Sequence, residues 1–549
     1  MAGGTWVDQN KVRPGVYINY KSAPSSLATM GERGVVAIAR VLDWGERGKW
    51  YTITDPSDCE QFGHSITDAE CLFIRQILLG TNRTQGASKI LLWSLETPAP
   101  TKAKKTFTNS SDASSSITVE AKSAGPDGNN INIKFVSTSS SYSMEIKNGD
   151  TTVGTITSNA RQNAGGMVAS YESASADIKA LITVTGDGNS AVLGTANLEG
   201  GTDGSVKATA TIGNVVATAK YPGSFGNRLS VVITAGPSSN WIVQTLLDGQ
   251  TVDSQTVTAI SGLVSNDYVD WSGTGAIAAN NGVELSGGTN GEADLTNYSD
   301  FLDHLELENF NVVIYDGTDT TTKDAYIDFV KRLSNREGIK CQAVISNATP
   351  NPDNECVINC YPHSLTLSDG SVLAPSEMTW WVGGAQAGAN VNESLTYVTH
   401  PNAVDFSPKL NSAAQETAIT SGQFALISNK GNVQVLTDIN SFRTYAVEKG
   451  KAFSKNRVVR TVFGLCNDIY DTFSQYYIGA VSNDEEGRKS LKAEIIGLMN
   501  RYQGIRALQN VEVDDVTVLP GTDSDAVVIE IYCQPVDSIE KIYINITIS

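Results

Sequence analysis

The chain has 549 residues, 40% hydrophobic and 18% charged, which suits a folded protein of about three to five domains. A formal net charge of −19 excludes a general nucleic-acid binder, which needs basic surface to neutralise phosphates. No run reaches the roughly 18 apolar residues of a membrane span; residues 34–42, among the most apolar, hold Arg40.

The first residues have neither a basic segment nor an apolar one, so no secretory signal is expected. Val12, Val16, Ile18 and Tyr20 alternate around Pro14-Gly15, which reads as an extended arm over 1–20. Residues 21–100 read as an α/β segment, with strands at 34–42, 50–54 and 90–95. Thr67-Asp68-Ala69-Glu70 has the form of a capping box, and the helix it opens ends at Gly80.

From 101 to 291 the chain is rich in Gly, Ser, Thr and Asn, and it repeats itself. Ala121-Lys122, Gly125, Gly128-Asn129, Ile131, Ile133 and Phe135 return as Ala219-Lys220, Gly223, Gly226-Asn227, Leu229, Val231 and Ile233. Each copy closes on a Gly-Gly-Thr-x-Gly run, at 200–204 and 287–291. Two β-rich modules are expected, 101–204 and 205–291, the first an outward decoration.

Residues 292–437 alternate helix and strand, the pattern of an open sheet covered by helices. Leu295, Tyr298, Phe301, Leu302 and Leu305 share one helical face; a strand at 311–315 ends at Asp316-Gly317. The region 438–540 opens with two amphipathic helices. Val458, Val462, Leu465, Ile469, Phe473 and Tyr476 line the first, and Leu491, Ile495, Leu498 and Tyr502 the second. Strands are expected at 511–519, 526–533 and 541–548. In the last, Ile542, Ile544, Ile546 and Ile548 alternate with polar or half-polar residues. An unpaired β-branched strand invites aggregation unless a sheet receives it. Two such arms suggest strands lent to neighbouring copies; folding back into the same domain is the alternative.

Motifs for chemistry are missing. There is no Gly-Lys-Ser phosphate loop, no G-x-S-x-G elbow and no H-E-x-x-H pair. Asp316, at a strand end in an α/β region, is the best catalytic candidate, though Asp before Gly more often starts a turn. The seven cysteines form no framework and suit reduced thiols. Cys356, Cys360 and His363 lack finger spacing, so neither metal nor cofactor is expected. One basic cluster stands out: Lys449, Lys451, Lys455, Arg457 and Arg460 crowd the first C-terminal helix. It reads as a solvated face or as a docking surface for an acidic partner.

Four stretches carry a resemblance: 11–19 around Pro14-Gly15, 219–233, 381–396 continuing through 422–440, and 455–479. Their order resembles the tail sheath proteins of contractile-tailed bacteriophages, of the kind found in phages and phage-like particles of Gram-positive bacteria. The resemblance implies a multidomain α+β and α/β protein without catalytic activity. It would polymerise helically around a tail tube in the virion tail, assembled in the host cytoplasm, and contract to drive the tube through a cell envelope. The implied partners are further copies of itself, the tail tube protein, and baseplate and tail terminator proteins. Val16, Ile18, Tyr20 and the four terminal isoleucines become inter-subunit arm strands. Lys451, Lys455, Arg457 and Arg460 are the tube-facing candidates, with Arg488, Lys489 and Lys492 of the second helix competing. A secreted or surface β-rich adhesin is the alternative, suggested by the Thr/Ser/Asn-rich modules.

Overall fold

The computed structural model describes residues 3–4, 16–17, 31 and 33–548, apart from 98, 99, 159, 160 and 203. The chain separates into two compact units. One comprises Val35–Leu78 and Ala87–Tyr326; the other comprises Met1–Gly34, Leu79–Gly86 and Ile327–Ser549. No described helix is long and apolar enough to cross a membrane.

In the first unit, strand Val35–Arg40 lies between Val312–Ile314 and Lys89–Ser94, parallel to both, and Lys49–Ile53 adds antiparallel to Lys89–Ser94. The near-continuous apolar run Val36, Ala37 and Ile38 is fully buried, as expected where helices cover both faces. The capping box expected from Thr67 and Glu70 does not form. A 3-10 turn, Ala69–Cys71, precedes helix Leu72–Leu78, and its N-cap is Asp68. The Asp68 carboxylate turns back to the Ser65 amide and to His64 instead.

The two modules are one architecture built twice. In the first, a sheet of Lys104–Asn109, Asp112–Ala121 and Ile182–Asp187 faces a sheet of Thr151–Ser158, Tyr142–Asn148, Ile131–Ser137 and Gly194–Asn197. In the second, Thr209–Ile212, Val215–Ala219 and Val269–Gly273 face Gln250–Val257, Trp241–Leu247, Leu229–Ala235 and Val283–Glu284 in the same order. Identical contacts explain the repeated Gly-Asn. A Cβ on Gly128 would sit 2.9 Å from the Cβ of both Ala103 and Ala121; one on Gly226 would sit 2.9 Å from those of Ala208 and Ala219. Asn129 brackets Gly201 with two hydrogen bonds, accepting from its amide (2.9 Å) and donating to its carbonyl (2.8 Å). Asn227 does the same to Gly288, at 2.8 and 2.9 Å.

The copies differ in what they dock. In the second, Tyr221, Phe225 and Tyr268 surround Trp44 of the α/β segment. Gly223 has a φ of +136° and lies so close that a Cβ would be 1.9 Å from the Asp43 carbonyl oxygen. The matching positions of the first copy are Ser123, Asp127 and Leu181, set by the equivalent pairings Ala121–Ile182 and Ala219–Val269. The first copy's own core is closed, and its ends meet where Thr101 and Thr202 exchange backbone hydrogen bonds.

In the second unit, parallel strands Gln342–Ser346, Val357–Cys360 and Gln423–Phe424 run beside helix Met378–Gly388, most of whose residues are buried. The Trp381 indole N–H of that helix donates to the Gly80 carbonyl at 2.7 Å. Then come the long helix Asn456–Tyr476, the second helix Glu485–Gly504 and a terminal hairpin, Val516–Pro520 with Val527–Ile531.

Because the first module has its own core and its ends lie side by side, replacing 102–201 with a short glycine linker should leave a soluble, cooperatively unfolding remainder. Gel filtration and thermal melts check this; aggregation of the shortened chain would contradict it.

Candidate assembly interface

The second helix follows its sequence pattern: Leu491, Ile495, Leu498 and Tyr502 are buried, and the Asp484 carboxylate caps its start by accepting from the Gly487 amide. The long helix departs from its pattern. One apolar stripe is predicted, yet its first half is enclosed on every side, with Val458, Val459, Arg460, Thr461, Phe463 and Leu465 all buried. One-sidedness returns only later, where Ile469 and Phe473 pack against the core and Tyr470 is exposed; Tyr476, expected on the apolar stripe, is exposed as well. The two helices meet at Gly464, where a Cβ would lie 2.8 Å from the Tyr502 hydroxyl and 3.0 Å from Val391 Cγ1.

Arg460 is thus not a surface cation. It is 2% exposed, and its guanidinium donates to the Glu393 carbonyl at 2.7 Å and to the Gln386 side chain. Asp438 lies 3.6 Å away, with both side chains 1% exposed. The Asp438 carboxylate also accepts from Gln386 Nε2 (2.7 Å), Asn456 Nδ2 (2.9 Å) and the Leu395 amide (3.0 Å). Burial lowers the Arg460 pKa, and Asp438 works against that shift.

Lys455 is also committed inside the protomer. It pairs with Glu540, whose carboxylate accepts from the hydroxyls of Thr396 (2.7 Å) and Thr437 (3.3 Å) as well. Glu540 immediately precedes the terminal arm, so Lys455 fixes the arm's root. Lys449 pairs with Glu355, and Arg457 is half-buried near the Arg506 carbonyl. Lys451 remains exposed. On the second helix, Arg488 donates to Asn483, Lys489 pairs with Glu485 at 2.7 Å, and Lys492 is half-buried.

The long helix holds a second root near the start of the chain. Asp468 accepts from the Gly31 amide at 2.9 Å and from the Tyr502 hydroxyl at 2.7 Å. Burial raises the Asp468 pKa. Arg33 beside it is half-buried, and its pKa is lowered to about 10, first by desolvation and then by Arg460. Val16 falls in a short strand, Val16–Tyr17, parallel to Gly3–Gly4; Ile18 and Tyr20 lie outside the described residues.

Beyond Glu540 the expected strand is not formed: residues 541–548 carry no regular secondary structure and have no ladder partner among the described residues. Ile542 is 75% exposed, Ile544 74%, Ile546 83% and Ile548 92%. The terminal hairpin buries Val516 and packs Val518, Ile529 and Ile531 against the helices, while Leu519, Val528 and Tyr532 face outward. No third strand joins it among the described residues.

The catalytic and metal candidates have other roles. Asp316 sits at the end of its strand as expected, but it is 13% exposed and paired with Arg40 at 2.5 Å. Arg40 in turn lies over the Phe73 ring. His363 accepts from the Leu426 amide at 3.1 Å, and burial lowers it to about 4, a neutral core imidazole. Among the described residues, Cys356, Cys360 and His363 do not bring their ligand atoms together.

Family models for the phage tail sheath β-sandwich, central and C-terminal domains match residues 204–290, 291–441 and 448–549. The PBSX phage-like element protein XkdK of Bacillus subtilis is 32% identical over 375 residues, 63% of this chain and 80% of that protein. The chain belongs to the phage tail sheath family. A crystal structure of the sheath tail protein from Desulfitobacterium hafniense shares 32% identity at a TM-score of 0.68, covering 96% of this chain and 99% of that one. A second, from Listeria innocua, shares the fold at 24% identity and a TM-score of 0.61, covering 94% and 95%.

This membership replaces the adhesin reading and gives the Asp438–Arg460 network its meaning. Asp438, Gln386 and Glu393 belong to the sheath central domain, Arg460 to the sheath C-terminal domain, and the network is their joint. Sequence reasoning missed Asp438, Glu540 and Asp468 as partners, because each is an isolated acid with no local pattern. Arg460→Ala should destabilise the subunit by about 3–5 kcal/mol, since it leaves Asp438 charged and buried without its cation. Lys451→Ala should cost under about 0.5 kcal/mol. Denaturant titration of the two variants decides between a core and a surface role.

Proposed function

We propose that this sheath subunit polymerises helically around a tail tube, each copy lending its terminal arms to neighbours, and that the array contracts to drive the tube through a cell envelope. The observation that carries this is the pairing of opposites within one domain. Residues 541–548 alternate as a strand in sequence yet are exposed and belong to no sheet, and the terminal hairpin is a sheet of only two strands among the described residues. A third strand from a neighbour satisfies both through ladder hydrogen bonds and burial of the four isoleucines.

The force for shortening is stored in subunit contacts, and the subunit acts without catalysis. Its partners are other copies, a tail tube protein, and baseplate and terminator proteins; it works in the tail of a virion or phage-like particle assembled in the bacterial cytoplasm. The first β module projects outward, in keeping with its separate core and its lack of the docking aromatics that seat the second. The tube-facing surface is carried by Lys451 with Arg457, because Lys455 and Arg460 are held by Glu540 and Asp438.

Deleting 541–549 should leave a folded, soluble subunit that no longer forms sheaths under negative-stain microscopy. Sheaths of normal length from that truncation would sink the arm proposal. Reversing Lys451 and Arg457 to Glu should weaken assembly on tubes in a salt-dependent way and spare self-polymerisation. Unchanged tube-templated assembly at low salt would move the contact to Arg488, Lys489 and Lys492.

A further inference from the structure

Outside the arms and the domain joint, one side-chain cluster has no role in the reading above. His64 is 2% exposed, packed beside the ring of Phe225 with Phe62 near it. Its Nε2 lies 2.7 Å from Asp43 Oδ1. Its Nδ1 lies 3.1 Å from Asp68 Oδ2 and 3.9 Å from Glu70 Oε2. The ligand atoms of His64, Asp68 and Glu70 all fall within 4.8 Å of one another. Asp68 is held in place by the Ser65 amide, which donates to it at 3.0 Å. Of the nearby cations, Arg228 is engaged with Asp248, and Arg75 donates to the carbonyls of Ile66 and Asp68.

We propose that His64 Nδ1, Asp68 and Glu70 bind one divalent transition-metal ion of the zinc class, with Asp43 orienting the imidazole from behind. The argument is electrostatic. Asp43 accepts the Nε2 proton at 2.7 Å, which aims Nδ1 at the carboxylates of Asp68 and Glu70. A lone pair cannot face two anionic oxygens closely unless a positive charge sits between them. A single proton there reaches Asp68 at 3.1 Å but leaves Glu70, at 3.9 Å, without a hydrogen bond, whereas a divalent ion can take both carboxylates. It also takes all three donors at once. One nitrogen and two carboxylates, with an open position toward solvent on the half-exposed Glu70 side, suit zinc. A carboxylate behind the ligating histidine is the usual outer partner of such sites.

The site would have a mechanical role. His64 packs on Phe225 of the second β module, and Asp43 lies under Gly223 of the same module. Metal at Nδ1 therefore stiffens the seat where that module meets the α/β segment.

The test uses the full-length subunit stripped with chelator and then titrated with zinc chloride, followed by calorimetry and thermal melts. Wild type should take up one equivalent and melt at a higher temperature as zinc rises above its Kd. Glu70→Gln, which alters a half-exposed ligand, should bind about tenfold or more weakly and lose that shift. Asp43→Asn should weaken binding without changing stoichiometry, and magnesium should not substitute. Absence of saturable one-equivalent binding, or equal binding by Glu70→Gln, overturns the proposal.

Discussion

The second unit depends on a charged pair that almost no water reaches. Taking Asp438 and Arg460 out of solvent costs several kcal/mol per ion, and their mutual attraction compensates only when the remaining donors and acceptors are met. Here they largely are. Both carboxylate oxygens accept hydrogen bonds, and the guanidinium donates to a backbone carbonyl and an amide side chain. Such a network is directional where apolar packing is not, so it sets the axial position and rotation of the long helix against the central domain. The arm roots then follow as a consequence. Lys455 and Asp468 stand on the same helix, about 20 Å apart at 1.5 Å per residue. Fixing one helix fixes both Gly31 and Glu540, the points that bound the two proposed arms.

The same network explains why the basic cluster misleads when read from sequence. Five cations within a dozen residues suggest a surface, yet three of them have acidic partners 22 to 94 residues away in sequence, which no local pattern reveals. Periodicity works where a helix has one apolar face, and it located the second helix and its core residues. It fails where a helix is enclosed, because polar residues then turn inward and are satisfied by distant groups. The terminal isoleucines mark the intermediate case. Their alternation announces a strand, and only the fold shows that no strand pairs with them among the described residues.

Glycine was the more reliable guide in the β modules. Gly128 and Gly226 recur because two alanine Cβ atoms occupy the space a side chain would need, and Asn129 and Asn227 recur because each holds the closing glycine of its module. These requirements are internal to the module, so they persist in both copies. The docking aromatics answer to an external requirement. Trp44 needs Tyr221, Phe225 and Tyr268, and aromatic pairs of this kind contribute about 0.5–1.5 kcal/mol each beyond the area they bury. A copy that touches no such surface has no use for them, and Ser123, Asp127 and Leu181 stand in their places. Comparing the copies therefore separates what a sandwich needs to fold from what it needs to dock.

The exposed arm also has an energetic logic. Burying an isoleucine contributes about 1.5–3 kcal/mol, and ordering each backbone residue costs about 1–2 kcal/mol. Four isoleucines spread over eight residues thus leave a single arm close to balance before ladder hydrogen bonds are counted. A lone subunit meeting another in dilute solution would gain little from one exchange. In a lattice of the proposed kind, neighbours already held by other contacts present the hairpin at high effective concentration, and every exchange reinforces the next. A weak strand, repeated, would then link subunits that shift against one another, each link anchored at its root where Lys455 and two threonine hydroxyls hold Glu540.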